Sequence, residues 1–186
     1  MQLTAQEEYG LRCLLQVAKV DVAAEQESGE QRLLRIPEIA EAEGLSPEYT
    51  AKLMRLLRRG GLVESIRGAG GGYKLAQPAR EVTLWEVMNV IGTPLFSEDF
   101  CETHPGQLQD CVHATDCSIR AMWRWMGEAL RVGLQGLTLA DLLRGEASMA
   151  AWLGSQQQPA QQPGSAAPAG LVQIGLPQAA STHSGR

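Results

Sequence analysis

One stretch of this sequence, from residue 36 to residue 75, constrains the fold more than any other part of the chain. Pro37 suits the first turn of a helix, where its missing N–H costs nothing. Gly44 then ends that helix, because glycine enters the left-handed conformation without strain. Ser46 follows at once as an N-cap for a second helix. The stretch therefore opens with two helices joined by a tight turn.

The second helix has an apolar face and a basic face. The apolar face is predicted to be buried and comprises Ala51, Leu53, Met54, Leu56 and Leu57. The other face carries Tyr49, Lys52, Arg55, Arg58 and Arg59. Two short strand-like runs follow, Leu62–Val63 and Tyr73–Leu75, and the loop between them is rich in glycine. A basic helix followed by a glycine-tipped hairpin predicts a winged helix-turn-helix, a mainly α fold with a small β-wing.

The charge of this stretch differs from that of the whole chain. Between Tyr49 and Arg80 there are seven lysines and arginines and one acid, Glu64, whereas the chain has a formal net charge of −5. A basic stripe on an acidic protein favours a dedicated surface for phosphate groups. The alternative is an ordinary solvated helix face beside a loop. We favour DNA binding because turn, cap, charge and hairpin agree.

The glycine-rich loop, GAGGGYKL, is not a nucleotide-binding loop, since no Lys-Ser/Thr pair and no helix follows it. Glycines such as Gly70 and Gly71 let a backbone approach another molecule closely, while Arg67 reaches out beside them. The negative potential of a DNA minor groove attracts an inserted arginine. We therefore expect this loop to meet the minor groove.

Length and composition indicate one compact domain and a tail. The chain has 186 residues, of which 44% are hydrophobic, and a domain of about 150 residues is the natural expectation for such a length. There is no apolar run of about eighteen residues, so no membrane span is expected. The first ten residues do not form a signal peptide, so we expect a cytoplasmic protein. In that reducing compartment, four cysteines favour metal or redox roles over disulfides.

The amino-terminal segment predicts an amphipathic helix over Leu3–Val20. Thr4 and Glu7 have the spacing of a capping box at its start. Cys13 lies beside the apolar stripe of this helix, and we expect it to be a small packed thiol. Asp21–Gln31 is polar and acidic and is expected to be an exposed loop.

The second half of the chain predicts further helices. Thr83 is expected to cap one, a long helix is expected over Ser118–Leu134, and Thr138 is expected to cap a short one over Leu139–Leu143. The long helix is apolar over a wide arc, which favours a partner, although packing on its own amino-terminal helix is an alternative. The predicted units are a DNA-binding domain over 1–80, a cysteine loop and dimerisation helix over 81–153, and a disordered Gln/Pro/Ala/Gly-rich tail over 154–186.

Three cysteines fall within seventeen residues, at Cys101, Cys111 and Cys117. The loop that holds them is too poor in apolar residues to order itself, so three convergent thiolates favour a metal centre, first an iron–sulfur cluster. Zinc is less favoured because paired CxxC spacings are absent. A thiol switch without metal, or three unrelated cysteines, are the remaining alternatives.

Two motifs carry a resemblance to a known family. RGAGGGYKLA after the helix-turn-helix and MQLTAQEEYGLR at the amino terminus resemble the bacterial Rrf-type winged-helix regulators, which include IscR, NsrR and RirA. The resemblance covers Met1 to about Trp152. It implies a homodimer formed by the long helix, palindromic operators in double-stranded DNA, and a two-iron or four-iron cluster held by Cys101, Cys111 and Cys117. The usual family spacing is five residues between each pair of cysteines. Here nine residues separate the first two cysteines, and five residues separate the last two.

A cluster held at four points needs one more ligand than three cysteines. One relative has a histidine three positions after the last cysteine, but this chain has Arg120 there, which cannot ligate while protonated. His104 and His113 remain possible. The resemblance to the nitric-oxide-sensing relative implies Glu8, at the position of an aspartate that the partner subunit donates. Some relatives also read a base through a carboxylate where this chain has Ala51.

Together these observations predict a homodimeric, DNA-binding transcriptional regulator whose operator affinity is set by an iron–sulfur cluster that senses iron, nitric oxide or redox state. The expected DNA contacts are Ser46, Tyr49, Lys52, Arg55, Arg67, Gly70 and Gly71. The main alternative is a regulator of the same fold that uses thiols or zinc. An iron–sulfur enzyme or electron carrier is a third hypothesis, and no second cofactor motif or catalytic constellation supports it.

Overall fold

The computed structural model describes residues 3–27, 32–68, 70–92, 107, 111–113 and 115–156. Within these residues the chain is mostly helical and carries one antiparallel sheet of two strands. The elements are α1 (Ala5–Glu27), α2 (Ile36–Glu43), α3 (Pro47–Arg59), β1 (Val63–Ile66), β2 (Gly72–Leu75), α4 (Leu84–Ile91), α5 (Ser118–Gln135), a 3-10 helix (Asp141–Leu143) and α6 (Glu146–Gln156). The mainly α architecture with a small hairpin is as predicted.

Helix α1 begins as predicted but ends later. The backbone N–H of Thr4 donates to the Glu7 carboxylate at 2.6 Å, and the N–H of Glu7 donates to the Thr4 hydroxyl at 3.2 Å, which confirms the capping box. The predicted exposed loop over Asp21–Gln31 is wrong as far as Glu27, because the helix continues to that residue. Asp21 is half-buried, and its carboxylate accepts a hydrogen bond from the sheet. The last residues of the predicted loop lie outside the described part.

The helix-turn-helix forms as the cap residues predict. Gly44 adopts the left-handed conformation with φ of 65°, and it ends α2. Ser46 has an extended backbone and its hydroxyl accepts a hydrogen bond from the N–H of Tyr49 at 3.2 Å, which starts α3. Helices α2 and α3 both pack against α1. The end of α2, just before the turn, is bound to α1 through hydrogen bonds from Arg12 and Gln16 to Glu43.

The hairpin after α3 is a short wing with a third strand segment at its side. Val63 lies opposite Leu75, and Ile66 lies opposite Gly72. Leu34, before α2, forms a bridge with Tyr73 through two backbone hydrogen bonds of 2.9 and 2.8 Å. The first strand begins one residue later than predicted and extends to Ile66, and the second begins one residue earlier, at Gly72. The segment before α2 completes the pairing of β2.

One hydrophobic core spans most of the described chain. Its largest fully buried side chains are Leu14, Ile39, Leu53, Met54, Leu57, Ile91, Leu139, Val17, Val63, Val82 and Val87. These residues come from α1, α2, α3, β1, the segment before α4, α4 itself and the segment after α5. That last segment returns to the start of α4, where Leu139 donates its backbone N–H to Val82 at 2.8 Å. Helix α4 begins at the predicted cap, Thr83, with a complete capping box.

The last described helices differ from the prediction in two places. Thr138 does cap the following turn, but Asp141–Leu143 form a 3-10 helix rather than an α-helix over Leu139–Leu143. A further helix, α6, follows and continues three residues into the segment that the sequence assigns to a disordered tail. Residues of α5 are all exposed or half-buried, and α5 packs mainly on α4. None of the described helices is long and apolar enough to cross a membrane.

Candidate nucleic-acid interface and cysteine segment

Helix α3 presents a row of charged side chains on the side opposite the core. Thr50, Leu53, Met54 and Leu57 are buried, so the positions at helical spacing on the far side point into solvent. The exposed row consists of Glu48, Lys52, Arg55 and Arg59. Arg58 is also exposed, at the edge of this row. Within the described residues, none of the four basic side chains forms an ion pair or a side-chain hydrogen bond.

Not every basic residue counted in the sequence is free to meet phosphate. Lys74 pairs with Glu64 across the wing at 3.4 Å, and Arg80 pairs with Glu81 at 3.5 Å. The basic side chains between Tyr49 and Arg80 that keep no acidic partner in the described part of the chain are Lys52, Arg55, Arg58, Arg59 and Arg67. Four of these five lie on α3, so the recognition helix holds most of the available positive charge.

Ser46 and Tyr49 are tied to the protein itself. Ser46 uses a lone pair as the cap of α3 and keeps its O–H as a donor. The ring of Tyr49 is half-buried and packs edge-to-face on Tyr9 of α1, with centroids 6.1 Å apart and an angle of 85°. Both residues therefore stabilise the start of α3, in addition to any contact that they make with DNA.

The glycines of the wing serve two different purposes. Gly68 has a φ of 121°, which favours glycine, and a Cβ on Gly68 or Gly70 would have open space around it. A Cβ on Gly71 would instead meet the backbone oxygen of Ile66, and one on Gly72 would lie 2.9 Å from the oxygen of Leu34. Gly70 thus leaves the wing surface open, whereas Gly71 is required by the packing of the turn. Arg67 is exposed at this tip.

Helix α1 supports the helix-turn-helix through side chains that the sequence analysis did not single out. Arg12 Nε donates to Glu43 Oε2 at 2.6 Å, and its guanidinium also donates to the Glu43 carbonyl at 3.2 Å. Gln16 donates to the other carboxylate oxygen of Glu43. The Arg12 guanidinium lies over the Tyr9 ring, 5.4 Å from its centroid. The hydrogen bond with Glu43 raises the pKa of Arg12, and the nearby Glu8 charge adds to the rise.

The same helix reaches the start of the cysteine segment. Gln6 Nε2 donates to the carbonyl of Ile91 at 2.8 Å. A Cβ on Gly10 would lie 3.2 Å from the Ile91 side chain, so α1 and α4 approach closely here. Glu7 is buried and lies against Gly92, the C-cap of α4. The residues between Gly92 and α5 hold the three clustered cysteines.

The cysteines fall into two environments. Cys13 is fully buried, and burial raises the pKa of its thiol to about 11, so it is the packed thiol that the sequence predicts. Cys111 and Cys117 are half-buried and free of disulfides. Cys117 is the N-cap of α5, and its Sγ accepts a hydrogen bond from the N–H of Arg120 at 3.4 Å.

The other predicted ligands are only partly described. Cys101 and His104 lie outside the described residues, whereas Glu8 and His113 are described and exposed. Within the described residues no group of three or more His, Cys, Asp or Glu side chains is arranged to hold a metal ion. The two described thiols suit a soft metal centre, because each is accessible and Cys117 already receives a backbone donor of the kind that tunes cluster sulfurs.

Comparisons with known proteins point to one family. A family model described as "Rrf2: Iron-dependent Transcriptional regulator" matches residues 3–145. The chain is 34% identical over 157 residues to protein aau3 of Rhizobium meliloti, covering 84% of this chain and 94% of that protein. It is 31% identical over 146 residues to the HTH-type transcriptional regulator IscR of Cronobacter sakazakii, covering 78% and 82% of the two chains.

A solved structure gives the same picture of the fold. CymR, described as the global cysteine regulator of B. subtilis, superposes on this chain with a TM-score of 0.58 at 25% identity. The match covers 76% of this chain and 95% of CymR. The winged-helix fold predicted from the sequence is thereby confirmed.

Proposed function

The chain belongs to the Rrf2 family of transcriptional regulators, and on that premise we propose that it binds operator DNA as a homodimer under the control of an iron–sulfur cluster. Like its relatives, it is a transcriptional regulator and not an enzyme. We infer a cytoplasmic location, because that is where operator DNA lies. The single observation that carries the DNA-binding surface is the exposed row of α3, whose basic side chains keep no acidic partner within the described residues.

In the proposed complex α3 enters the major groove and the wing meets the minor groove. Lys52 and Arg55 contact bases or the phosphates that flank them, and Arg67 reaches into the minor groove. Ser46 donates its free O–H to a phosphate beside the start of α3. Tyr49 contacts the edge of the groove, and Gly70 and Gly71 form the flat wing surface that approaches the DNA backbone.

The homodimer is supported by an apolar face on α5. Ile119, Met122, Trp125, Ala129 and Val132 share one face of this helix, and Trp125 is 71% exposed and Ile119 58% exposed. Arg124, Glu128, Arg131 and Gln135 lie on a different face. An apolar helix face of this length, left open by the described residues, suits a second copy of α5 in a twofold interface.

The cluster would be held by Cys101, Cys111 and Cys117, with Glu8 of the partner subunit as the fourth ligand and His104 or His113 as alternatives to it. When bound, an iron–sulfur cluster supplies a redox-active crosslink between the segments that ligate it. Similarity to IscR and the iron-dependent family description support this assignment. Cys111 and Cys117 support it through their accessibility and the absence of a disulfide.

Helix α1 supports a physical route from the cysteine segment to DNA. Its first turns contact Ile91 and Gly92, directly before that segment. In its middle, Arg12 donates a hydrogen bond to Glu43 at the turn of the helix-turn-helix. Further along, Asp21 accepts a hydrogen bond from β2. A ligand can shift DNA affinity only by its different affinity for two arrangements of the protein. We propose that those arrangements differ in how α1 lies on α4.

A second candidate function is a thiol-based regulator without a cluster. It is favoured by one observation, the similarity to a structure described as a global cysteine regulator. Cys111 and Cys117 are half-buried and form no disulfide, so their thiols remain open to oxidation or alkylation. Zinc bound by the same thiols belongs to this alternative.

DNA binding is tested by selecting duplexes from a random pool and measuring affinity by fluorescence anisotropy. Arg55→Ala should weaken binding to the selected duplex by about 1–3 kcal/mol and lower the salt dependence. Arg124→Ala is the matched control, because Arg124 is also an exposed helical arginine but lies on α5. Equal affinities for wild type and Arg55→Ala across a salt titration would contradict the proposed surface.

The cluster is tested separately by absorption spectra and iron, sulfide and zinc analysis of protein purified without oxygen. Alanine at any of the three clustered cysteines should give colourless protein, whereas Cys13→Ala should stay coloured. Glu8→Ala, His104→Ala and His113→Ala identify the fourth ligand by their effect on the spectrum. Wild-type protein that is colourless and free of iron, with DNA affinity that responds to peroxide, would instead support the thiol regulator.

A further inference from the structure

Glu48 stands at the head of the exposed row on α3. The row runs Glu48, Lys52, Arg55 and Arg59, each one helical turn from the next. Three members are basic, and the first is acidic. Glu48 is exposed and, within the described residues, makes no ion pair, not even with Lys52 one turn away. The carboxylate is therefore free to meet whatever lies against the row.

A carboxylate in this place has a cost. Non-specific affinity for DNA comes mainly from neutralised phosphates, and an acid beside them reduces it. The helix dipole does favour an acid in the first turn of α3. Glu48 is the acid of that first turn, so its part in stabilising the helix has to be separated from contact with DNA by experiment. The residues that enter deepest into a major groove are those at the start of a recognition helix.

Base chemistry restricts what an ionised carboxylate can bind in a major groove. It only accepts hydrogen bonds, and the amino groups of cytosine N4 and adenine N6 are the donors exposed there. In adenine the N7 acceptor lies next to the amino group and repels a carboxylate. In cytosine no acceptor lies beside N4 on the same base, so cytosine is the better partner.

We propose that Glu48 is a specificity-determining residue that reads a cytosine in the major groove by accepting a hydrogen bond from its N4 amino group. The inference rests on the proposed function, since it requires α3 to be the DNA-reading helix. Lys52 and Arg55 hold the neighbouring phosphates or bases and offset the charge of Glu48. In a twofold complex the cytosine recurs in both half-sites.

The experiment is selection from a pool of random duplex DNA, followed by sequencing, with the full chain and its Glu48 variants. When the selected duplexes are aligned, the wild type should show one position, or column, that is enriched in C paired with G. Glu48→Ala should lose that column, with discrimination at this position falling about ten- to one-hundred-fold, and should bind unrelated duplex DNA more tightly. Glu48→Gln should move the column from C towards A, because glutamine pairs with adenine N6 and N7.

Two further variants separate base reading from helix stabilisation. Glu48→Asp keeps the charge and its favourable position near the helix dipole but withdraws the carboxylate by one methylene, so it should lose the column while the thermal midpoint stays unchanged. Glu41→Ala, an exposed acid on α2, is the matched control and should enrich the same sites as the wild type.

Each outcome bears on one statement. If Glu48→Ala and Glu48→Asp enrich the same columns as the wild type, the inference is overturned and DNA binding by α3 still stands. If Glu48→Ala loses an adenine column instead, the assignment to cytosine is wrong. If the wild type enriches no sequence at all under reducing and anaerobic conditions alike, the proposed function itself fails.

Discussion

The carboxylate of Asp21 accepts a hydrogen bond from the backbone N–H of Leu75, with 2.6 Å between Oδ2 and N. This bond fixes the far end of α1 to β2 of the wing. Five to twelve positions along the helix separate Asp21 from Tyr9, Arg12 and Gln16, which contact the helix-turn-helix, roughly 8–18 Å at 1.5 Å per residue. A single helix therefore holds both elements that are proposed to read DNA, and it sets the angle between them.

The first prediction concerns this anchor. Asp21→Ala removes the acceptor for the Leu75 N–H, so we expect the free energy of unfolding to fall by about 1–2 kcal/mol. We also expect affinity for a selected duplex to fall, because the wing is less firmly held against α1. Asp21→Asn keeps an acceptor oxygen and should retain most of both quantities. Urea denaturation and fluorescence anisotropy provide the two measurements.

The anchor would be unimportant for DNA binding if Asp21→Ala and the wild type had the same affinity and the same salt dependence. A loss of stability equal in Asp21→Asn and Asp21→Ala would show that charge, and not the hydrogen bond, is what matters at this position.

The second prediction concerns Arg12 and Glu43, which join α1 to the turn of the helix-turn-helix. Glu43 is nearly buried, with 7% of its side chain exposed, and it accepts from both Arg12 and Gln16. Arg12→Ala and Glu43→Ala should each lower the thermal midpoint, and the double variant should lose less than the two single losses together. Additive losses would mean that the contact contributes nothing of its own.

Local signals account for the parts of the fold that the sequence predicts correctly. Gly44, Ser46 and Thr83 act on backbone groups within four residues, so their roles are visible in the sequence. The polar, acidic composition after Val20 predicts a loop at Asp21, because the partner that orders this residue lies 54 positions away. The Arg12–Glu43 contact spans 31 positions and left no local signal either. Such pairs are set by how the helices pack, which a single sequence does not contain.

The candidate site divides in the same way. The exposed row of α3 follows from helical spacing alone, so the basic face was predictable. That Lys74 and Arg80 are paired with neighbouring acids, and so add little to it, depends on strand register and side-chain conformation. Helix α6 was missed because alanine, serine and glycine interrupt its apolar pattern, and such composition looks like the start of a tail.

The third prediction uses the two kinds of glycine in the wing. A Cβ at Gly72 would lie 2.9 Å from the Leu34 oxygen and 3.0 Å from the Leu33 Cβ, so Gly72→Ala should separate the third strand segment and lower stability. Gly70 has open space, so Gly70→Ala should leave the thermal midpoint unchanged and weaken DNA binding only if the DNA backbone approaches there. Normal affinity in Gly70→Ala would remove Gly70 from the proposed interface.

The fourth prediction concerns the apolar face of α5. Trp125→Glu should place a charge in the proposed dimer interface and raise the dissociation constant of the dimer by roughly thirtyfold or more. Sedimentation equilibrium over a range of concentrations measures it. Ile66→Glu, which changes an exposed apolar residue on β1, should leave the dimer intact. A wild type that sediments as a monomer at all concentrations would contradict the dimer.

The last prediction concerns the pH dependence of stability and rests on Cys13. Burial raises the pKa of this thiol to about 11, from an ordinary value of 9.0, and the negative charge of Glu43 adds to the rise. Below pH 9 the thiol is protonated in the folded and unfolded chains alike. Between pH 9 and pH 11 the unfolded chain releases this proton and the folded chain keeps it, so the folded state loses stability as pH rises.

Other groups also titrate in this range, so the effect of Cys13 is the difference between the wild type and Cys13→Ala. Urea denaturation at several pH values should show a steeper loss of stability for the wild type from pH 9 to pH 11 and parallel curves below pH 9. In the native protein without a cluster, at pH 8, iodoacetamide should label the half-buried thiols of Cys111 and Cys117 and spare the buried Cys13. Parallel curves throughout, together with rapid labelling of Cys13, would mean that this thiol reaches solvent and that α1 packs less closely than the structure has it.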